Sequence, residues 1–273
     1  MLLYRLGPEG FYAVQNTSGQ VRYLHSDPFE DPIASWSLGR TVDIGSIPLL
    51  VPILPGKIIG IGRNYVKHAQ ELNNPVPCEP LIFLKATSSV IGPSAPIILP
   101  AQSERVDFEG EIAVVLKHML CNADRQQASR GILGVTAAND VTARDLQRKD
   151  ATFARAKSFD TFCPLGPAIL LSPDLDKLRL TTRIHQEVRQ EAHVGEMIFD
   201  IPELISYVSR IMTLLPGDII LTGTPEGVGP LQAGDTVEVE IHGMPPLRNP
   251  VEARSPEISS PDHRPESEPL EAS

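Results

Sequence analysis

The sequence is short of cysteine, of basic residues and of long apolar runs, and each shortage argues against a class of protein. Three cysteines occur among 273 residues, at positions 78, 121 and 163, an odd number without metal-ligand spacing. A disulfide framework and a thiolate zinc site are therefore not expected. The net charge of −10 argues against binding of nucleic acid through a basic surface. No run approaches the roughly 18 apolar residues that a membrane helix needs.

The composition favours a soluble, globular protein. Its hydrophobic share of 41% is enough for a sizeable core, and 273 residues suit one large domain or two small ones. The first residues carry neither a basic segment nor a long apolar core, so we expect no targeting or anchoring segment. We expect a cytoplasmic protein with reduced cysteines, and neither nucleic acid nor membrane as a partner.

Turn and apolar patterns divide the chain into three segments. Residues 1–52 alternate short extended pieces with glycine-containing turns, which predicts a small β-rich N-terminal region. Residues 53–249 hold the longer apolar segments and are assigned to the main, catalytic domain. Residues 250–273 are rich in Pro, Ser and Glu, and they are predicted to form a disordered tail.

The most informative stretch is DFEGE at positions 107–111, which leads into the apolar run 112–116. Successive side chains of a strand point to opposite faces, so Asp107, Glu109 and Glu111 are predicted to share one face. The apolar run that follows is typical of a strand buried on both faces. Carboxylates this close in a half-buried position repel one another unless a proton or a cation lies between them. Mg²⁺, Mn²⁺ or Ca²⁺ would suit these oxygen ligands, and an acidic edge strand facing water is the alternative.

A helical segment at 66–72 carries a candidate general base. His68 and Glu71 are three residues apart and therefore lie on the same side of the helix, where the carboxylate can orient and polarise the imidazole. This is the arrangement of a general base with its orienting acid. An exposed surface pair is the alternative, because the whole segment is polar.

A strand end followed by a helix is predicted just beyond the middle of the chain. Thr142 and Asp145 have the spacing of an N-terminal helix cap, and Asp140 comes just before them at the end of a strand. Arg144 and Gln147 share a helical face and could hold an anionic substrate, although a solvated pair is the commoner meaning.

Two further segments supply candidate binding groups. Lys157 lies among small and aromatic residues, which can desolvate a lysine, although a structural lysine is the commoner case. The apolar run 219–221 leads into a glycine turn, where backbone amides and the Thr224 hydroxyl could meet a substrate carboxylate.

Together these segments resemble the fumarylacetoacetate hydrolase family over residues 57–243. The matching motifs, in chain order, are GRNY at 62–65 with His68 and Glu71, DFEGE at 107–111, NDVTARD at 139–145, KSFD at 157–160 and GDIILTGTP at 217–225. The resemblance implies an α+β, predominantly β fold, a mixed β-sandwich roll, and a homodimer.

The resemblance also implies roles for individual residues. Mg²⁺ or Mn²⁺, with Ca²⁺ as a further candidate, would be held by Glu109, Glu111 and Asp140. His68 and Glu71 would activate water on a segment that can act as a lid, with Lys157 near the reacting centre. Arg144, Gln147 and Thr224 are the expected substrate-binding residues. Asp107 matches no metal ligand of the family and is assigned a structural role.

The expected activity is metal-dependent hydrolysis of a carbon–carbon bond in an acylpyruvate-type 1,3-diketo acid, of the fumarylpyruvate or acylpyruvate class, with release of pyruvate. The substrate is expected to be a small anionic 2-oxo acid. Decarboxylation of oxaloacetate, or isomerisation or decarboxylation of a 2-hydroxymuconate-type acid, uses the same enolate chemistry and stays an alternative. A non-catalytic fold stabilised by its cation is the alternative from another class.

Overall fold

Strands predominate in the computed structural model, which describes residues 1–71 and 73–254. The strands are β1 (Leu2–Leu6), β2 (Phe11–Gln15), β3 (Val21–Leu24), β4 (Leu38–Thr41), β5 (Ile58–Gly62), β6 (Leu81–Lys85), β7 (Val90–Ile91), β8 (Ile97–Leu99), β9 (Val106–Phe108), β10 (Gly110–Leu116), β11 (Ile132–Asn139), β12 (Thr142–Ala143), β13 (Cys163–Leu171), β14 (Arg179–Ile184), β15 (Glu187–His193), β16 (Ile219–Leu221), β17 (Gly229–Pro230), β18 (Thr236–Ile241) and β19 (Leu247–Ala253). The α-helices are α1 (Val66–Glu71), α2 (Arg125–Arg130), α3 (Arg144–Lys149), α4 (Ala154–Lys157) and α5 (Ile201–Ser209).

The strands form three sheets. An eleven-stranded sheet has the order β4-β3-β2-β1-β13-β11-β10-β16-β5-β6, with β7 paired to β13 off this path. A five-stranded sheet, β15-β14-β18-β19-β8, packs on it where β10, β11 and β13 contact β14, β18 and β19. A three-stranded sheet, β12-β9-β17, completes the set. Parallel pairs stand among antiparallel ones, so the predicted mixed, predominantly β sandwich is confirmed.

Strand β10 lies inside the large sheet and is buried along its whole length. Ile112 and Val114 belong to the core that is shared with the five-stranded sheet, whereas Ala113 and Val115 belong to a second core. The prediction of a strand buried on both faces is therefore confirmed. Each fully buried Val or Ile side chain contributes about 1.5–3 kcal/mol, so β10 is a rigid support for Glu111 near its beginning.

The acidic stretch is two strands rather than the single strand that the alternation predicts. β9 ends at Phe108 and β10 begins at Gly110, and the two strands belong to different sheets. Glu109 lies in the break, where its backbone N–H donates to Asn139 Oδ1 at 2.9 Å and its carbonyl accepts from Asp140 N at 2.8 Å. These bonds redirect the chain, so Asp107 is held in the three-stranded sheet, apart from β10.

The helix cap predicted at Thr142 and Asp145 is wrong. Helix α3 has Ala143 at its N-cap position and no side-chain cap. The Thr142 hydroxyl donates instead to the Asp140 carbonyl at 2.8 Å, and the Asp145 carboxylate accepts from the Ser103 hydroxyl. Both polar side chains are therefore occupied by other partners.

The two ends of the chain extend the sheets. Strands β1 to β4 lie within residues 1–52, and β1 pairs with β13, so these four strands continue the large sheet. Strand β19 runs to Ala253, so the first residues of the tail predicted at 250–273 belong to a strand. The remainder of that prediction, from residue 255 onward, lies outside the described residues. None of the described helices is long and apolar enough to cross a membrane.

Candidate active site

Three buried carboxylates meet where β10 begins and β11 ends. Glu109, Glu111 and Asp140 are at most 4% exposed, and they offer oxygen atoms within 4.8 Å of one another. The antiparallel pairing of β10 with β11 places Gly110 opposite Asn139, which brings the flanking acids together. The structure thus assembles the three residues predicted as metal ligands.

Two buried lysines neutralise part of this charge. Lys157 Nζ lies 2.7 Å from Glu109 Oε2 and also contacts the Asp140 carboxylate. Lys85 Nζ lies 2.6 Å from the other oxygen of Asp140. Burial lowers the pKa of Lys157, but the charges of Asp140 and Glu109 outweigh burial and leave this pKa raised. Lys157 is therefore a cation at neutral pH.

Arg144 is occupied by acceptors of the protein itself. Its Nε donates to Asp107 at 2.9 Å, its Nη1 donates to Gln147 at 2.6 Å, and its Nη2 contacts Glu109. Asp107 also accepts from Arg105 Nε at 2.9 Å, contacts that agree with a structural role. At this site four buried carboxylates, Asp107, Glu109, Glu111 and Asp140, are therefore opposed by three buried cations, Lys85, Arg144 and Lys157.

Burial and neighbouring charges move the pKa values of the two glutamates in opposite directions. Burial raises the pKa of Glu109, but the charges of Lys157 and Arg144 outweigh burial and leave this pKa lowered. Burial raises the pKa of Glu111 well above its ordinary value, and the charges of Asp140 and Glu109 raise it further. A divalent cation among these oxygens would remove that repulsion, so the donor set fits a hard cation such as Mg²⁺.

His68 and Glu71 lie on α1 with the predicted geometry. His68 is 5% exposed, and its Nδ1 lies 3.4 Å from Glu71 Oε2. The Gly227 N–H donates to both Glu71 oxygens, at 3.1 and 3.3 Å, and holds that carboxylate in place. Burial lowers the pKa of His68 and outweighs the charges of Glu109 and Glu71, which raise it. His68 is therefore a buried, neutral imidazole, whereas Glu71 is exposed, so the alternative of a pair exposed at both residues is wrong.

These groups line one cleft with a volume of about 240 Å³. Eight of the predicted site residues line it: His68, Glu109, Glu111, Asp140, Arg144, Gln147, Lys157 and Thr224. Glu71, the ninth predicted site residue, does not line the cleft but contacts His68. The Thr224 hydroxyl donates to the Gly110 carbonyl at 2.9 Å and accepts from Gln190 Nε2 at 2.8 Å, so its proton is already in use. The substrate-binding roles of Arg144, Gln147 and Thr224 stay predictions.

Lys85 and Gln190 hold the site together and were missed in the sequence. Lys85 ends the largely apolar strand β6, and a lysine at the end of such a strand is the signal that could have found it. Gln190 is buried on β15, accepts from the Gly110 N–H at 3.0 Å and donates to the Pro225 carbonyl at 2.9 Å. Its strand carries mostly exposed polar residues, so no local pattern distinguishes Gln190.

Comparison with known proteins agrees with these features. The family model described as fumarylacetoacetate (FAA) hydrolase C-terminal matches residues 57–252. An uncharacterized protein of Archaeoglobus fulgidus is 51% identical over 211 residues, which cover 77% of this chain and 84% of that protein. The mitochondrial oxaloacetate tautomerase fahd2 of Xenopus laevis is 43% identical over 219 residues, covering 76% of this chain and 69% of that protein.

A solved structure shows the same architecture. The crystal structure of 5-carboxymethyl-2-hydroxymuconate delta-isomerase from Mycobacterium smegmatis matches with a TM-score of 0.85 and 40% identity, covering 93% of this chain and 100% of that chain. The family model, the relatives and the fold therefore agree with the motifs in the sequence. This chain belongs to the fumarylacetoacetate hydrolase family.

Proposed function

We propose that this enzyme interconverts the keto and enol forms of a small 2-oxo acid of the oxaloacetate type. The observation that carries the proposal is a buried, neutral imidazole, His68, in the same small cleft as the carboxylate cluster. A relative named as an oxaloacetate tautomerase and a structural neighbour named as an isomerase support this class of reaction.

The carboxylate cluster is the proposed metal site. Glu109, Glu111 and Asp140 would hold the cation, and their all-oxygen donor set favours Mg²⁺. A cation bound there supplies Lewis acidity toward the oxygens of a 2-oxo acid. With its charge added, the buried groups carry a net positive charge, which favours an anionic ligand.

His68 is the proposed proton-transfer group. Interconversion of keto and enol forms requires a base that removes a proton from the carbon beside the 2-oxo group and can return it. Lys157 and Arg144 also line the cleft, but both are held as cations by buried carboxylates. Lys157 would therefore stabilise negative charge that develops on the 2-oxo oxygen. Glu71 keeps the imidazole oriented and stabilises its protonated form.

Acylpyruvate hydrolysis is the second candidate, because the pair of His68 and Glu71 is also the arrangement that activates water. In that reaction His68 takes a proton from water, the hydroxide adds to the distal carbonyl, and the carbon–carbon bond breaks to give pyruvate and a carboxylic acid. Decarboxylation of oxaloacetate would give pyruvate and carbon dioxide. Tautomerisation alone gives no pyruvate, so the product separates the three reactions.

The test follows oxaloacetate that has just been dissolved in its enol form. The ultraviolet absorbance of the enol is recorded with the protein and Mg²⁺, and pyruvate is measured in the same samples. We expect the enol to decay faster than in Mg²⁺ buffer alone, with no more pyruvate than that buffer gives, and the acceleration to disappear in EDTA. Release of pyruvate from an acylpyruvate, with no acceleration of enol decay, would instead establish the hydrolase.

A further inference from the structure

We propose that Arg63 and Arg148 bind a second carboxylate of the substrate and make the enzyme specific for 2-oxo dicarboxylic acids. The inference rests on the proposed function, which places the 2-oxo acid end of the substrate at the carboxylate cluster. Both arginines line the same cleft as that cluster. The sequence patterns did not identify either arginine as a binding residue.

The two guanidinium groups lack counterions from the protein. Within residues 1–71 and 73–254, neither Arg63 nor Arg148 forms an ion pair with a carboxylate. Arg144, the third arginine that lines the cleft, is paired with Asp107 and Glu109. A further anion at Arg144 would compete with two buried carboxylates, whereas an anion at Arg63 or Arg148 would meet an uncompensated charge.

Arg63 is presented to the cleft by a rigid turn. It follows β5 with a φ of 59°, in the left-handed region that non-glycine residues rarely adopt. The next residue, Asn64, is fully buried and fixes the turn from both sides. Its Nδ2 donates to the carbonyls of Phe199 and Thr222 at 3.0 and 2.8 Å, and its Oδ1 accepts from Phe199 N at 2.9 Å.

The chemistry of the cleft changes from its buried end to its exposed end. The carboxylate cluster is buried, whereas Arg63 is half-buried and Arg148 is exposed on α3. The lining of the same cleft also includes the rings of Phe83 and Phe153, whose centroids lie 5.8 Å apart in an edge-to-face arrangement. A short carbon chain with an anionic group at each end matches a cleft that combines a buried cation site, apolar rings and more exposed guanidinium groups.

The test compares two ligands that differ only at the distal end. Oxaloacetate carries the second carboxylate, and 2-oxobutanoate has a methyl group in its place. Calorimetry measures binding of each acid to the Mg²⁺-loaded protein, its Arg63→Gln and Arg148→Gln variants, and the control Arg179→Gln, which changes an exposed arginine on β14 outside the cleft. Each cleft variant should bind oxaloacetate roughly 10- to 100-fold more weakly, the effect of one charge-assisted hydrogen bond, and should bind 2-oxobutanoate as the wild type does.

Three results would overturn the inference: equal binding of both acids by the wild type, oxaloacetate affinities of the cleft variants equal to that of Arg179→Gln, and an equal loss of affinity for both acids. The last result would place the arginines at the 2-oxo end. The proposed function fails separately, because binding does not require turnover. A protein that binds oxaloacetate through Arg63 and Arg148 without accelerating enol decay keeps the dicarboxylate site and is not a tautomerase.

Discussion

Glu111 and Glu109 belong to one carboxylate cluster, yet their substitution by glutamine should change the stability of the metal-free protein in opposite ways. Glu111 accepts one hydrogen bond, from the Gly223 N–H at 2.8 Å, and forms no ion pair among the described residues. Folding raises its pKa, so its ionised form opposes folding as the pH rises above about 4.3, the ordinary value for Glu. Glu111→Gln removes this opposition, and at pH 7 the metal-free variant should be at least as stable as the wild type.

Glu109→Gln is the matched comparison. Folding lowers the pKa of Glu109, so its ionised form stabilises the fold at neutral pH and loses that contribution in acid. The substitution removes a charge that Lys157 and Arg144 both contact in a buried position. Breaking a buried pair in this way costs about 3–5 kcal/mol. Both variants should nevertheless lose stabilisation by Mg²⁺, which for the wild type is about 2.7 kcal/mol at a metal concentration of 100 times Kd.

Urea unfolding at pH 7, in EDTA and in Mg²⁺, measures both effects. In EDTA we expect Glu109→Gln to unfold at much lower urea than the wild type, and Glu111→Gln to unfold at the same or higher urea. In Mg²⁺ only the wild type should become markedly more resistant to urea than it is in EDTA. Equal destabilisation of both variants in EDTA, or a full gain in Mg²⁺ for Glu111→Gln, would refute the assignment of Glu111 as an unpaired metal ligand.

Three further predictions concern the base and its support. His68→Gln should slow tautomerisation by about 10²- to 10⁴-fold, the range for a positioned general base, and an unchanged rate in the enol assay would remove His68 from that role. Burial lowers the pKa of His68 from 6.5, so activity should be lost only as the pH falls below this value. Glu71→Gln removes a charge that raises the pKa of His68. In a pH–rate profile this variant should therefore lose activity at a still lower pH. Asn64→Ala removes three hydrogen bonds of a buried side chain, which should cost about 2–4 kcal/mol of stability and lower kcat. Asn249→Ala removes two bonds remote from the cleft and should lower only stability. Equal kcat values of the two variants would contradict the role of Asn64 in holding the turn.

The chemistry of the site could be predicted because residue type and local order carry it. The glutamates of DFEGE, the spacing of His68 and Glu71, and the apolar run of β10 are local patterns, and the structure brings these groups to the cleft or the core as expected, whereas Asp107 lies apart in another sheet. These patterns show which groups can bind a cation or move a proton. They do not show which charges oppose them.

The rest depends on contacts between distant parts of the chain. Lys85 meets Asp140 across 55 residues of sequence, although three strands separate β6 from β11 in the sheet. Gln190 reaches Gly110 from the opposite sheet. The strand break at Glu109 follows from its hydrogen bond to Asn139, and alternation of side chains contains no information about such a bond. The ion pairs of the site and the break between β9 and β10 therefore could not be predicted from single segments of the sequence.

His68 is proposed to move a proton on the carbon beside the 2-oxo group. The most direct measurement is the rate at which the Mg²⁺-loaded protein exchanges the C3 protons of oxaloacetate for deuterium in D₂O, followed by proton NMR. We predict that the wild type accelerates this exchange, and that His68→Gln binds oxaloacetate but exchanges its protons near the rate of Mg²⁺ buffer alone. Two results would contradict this role of His68: exchange by the wild type no faster than in that buffer, or exchange by His68→Gln as fast as by the wild type.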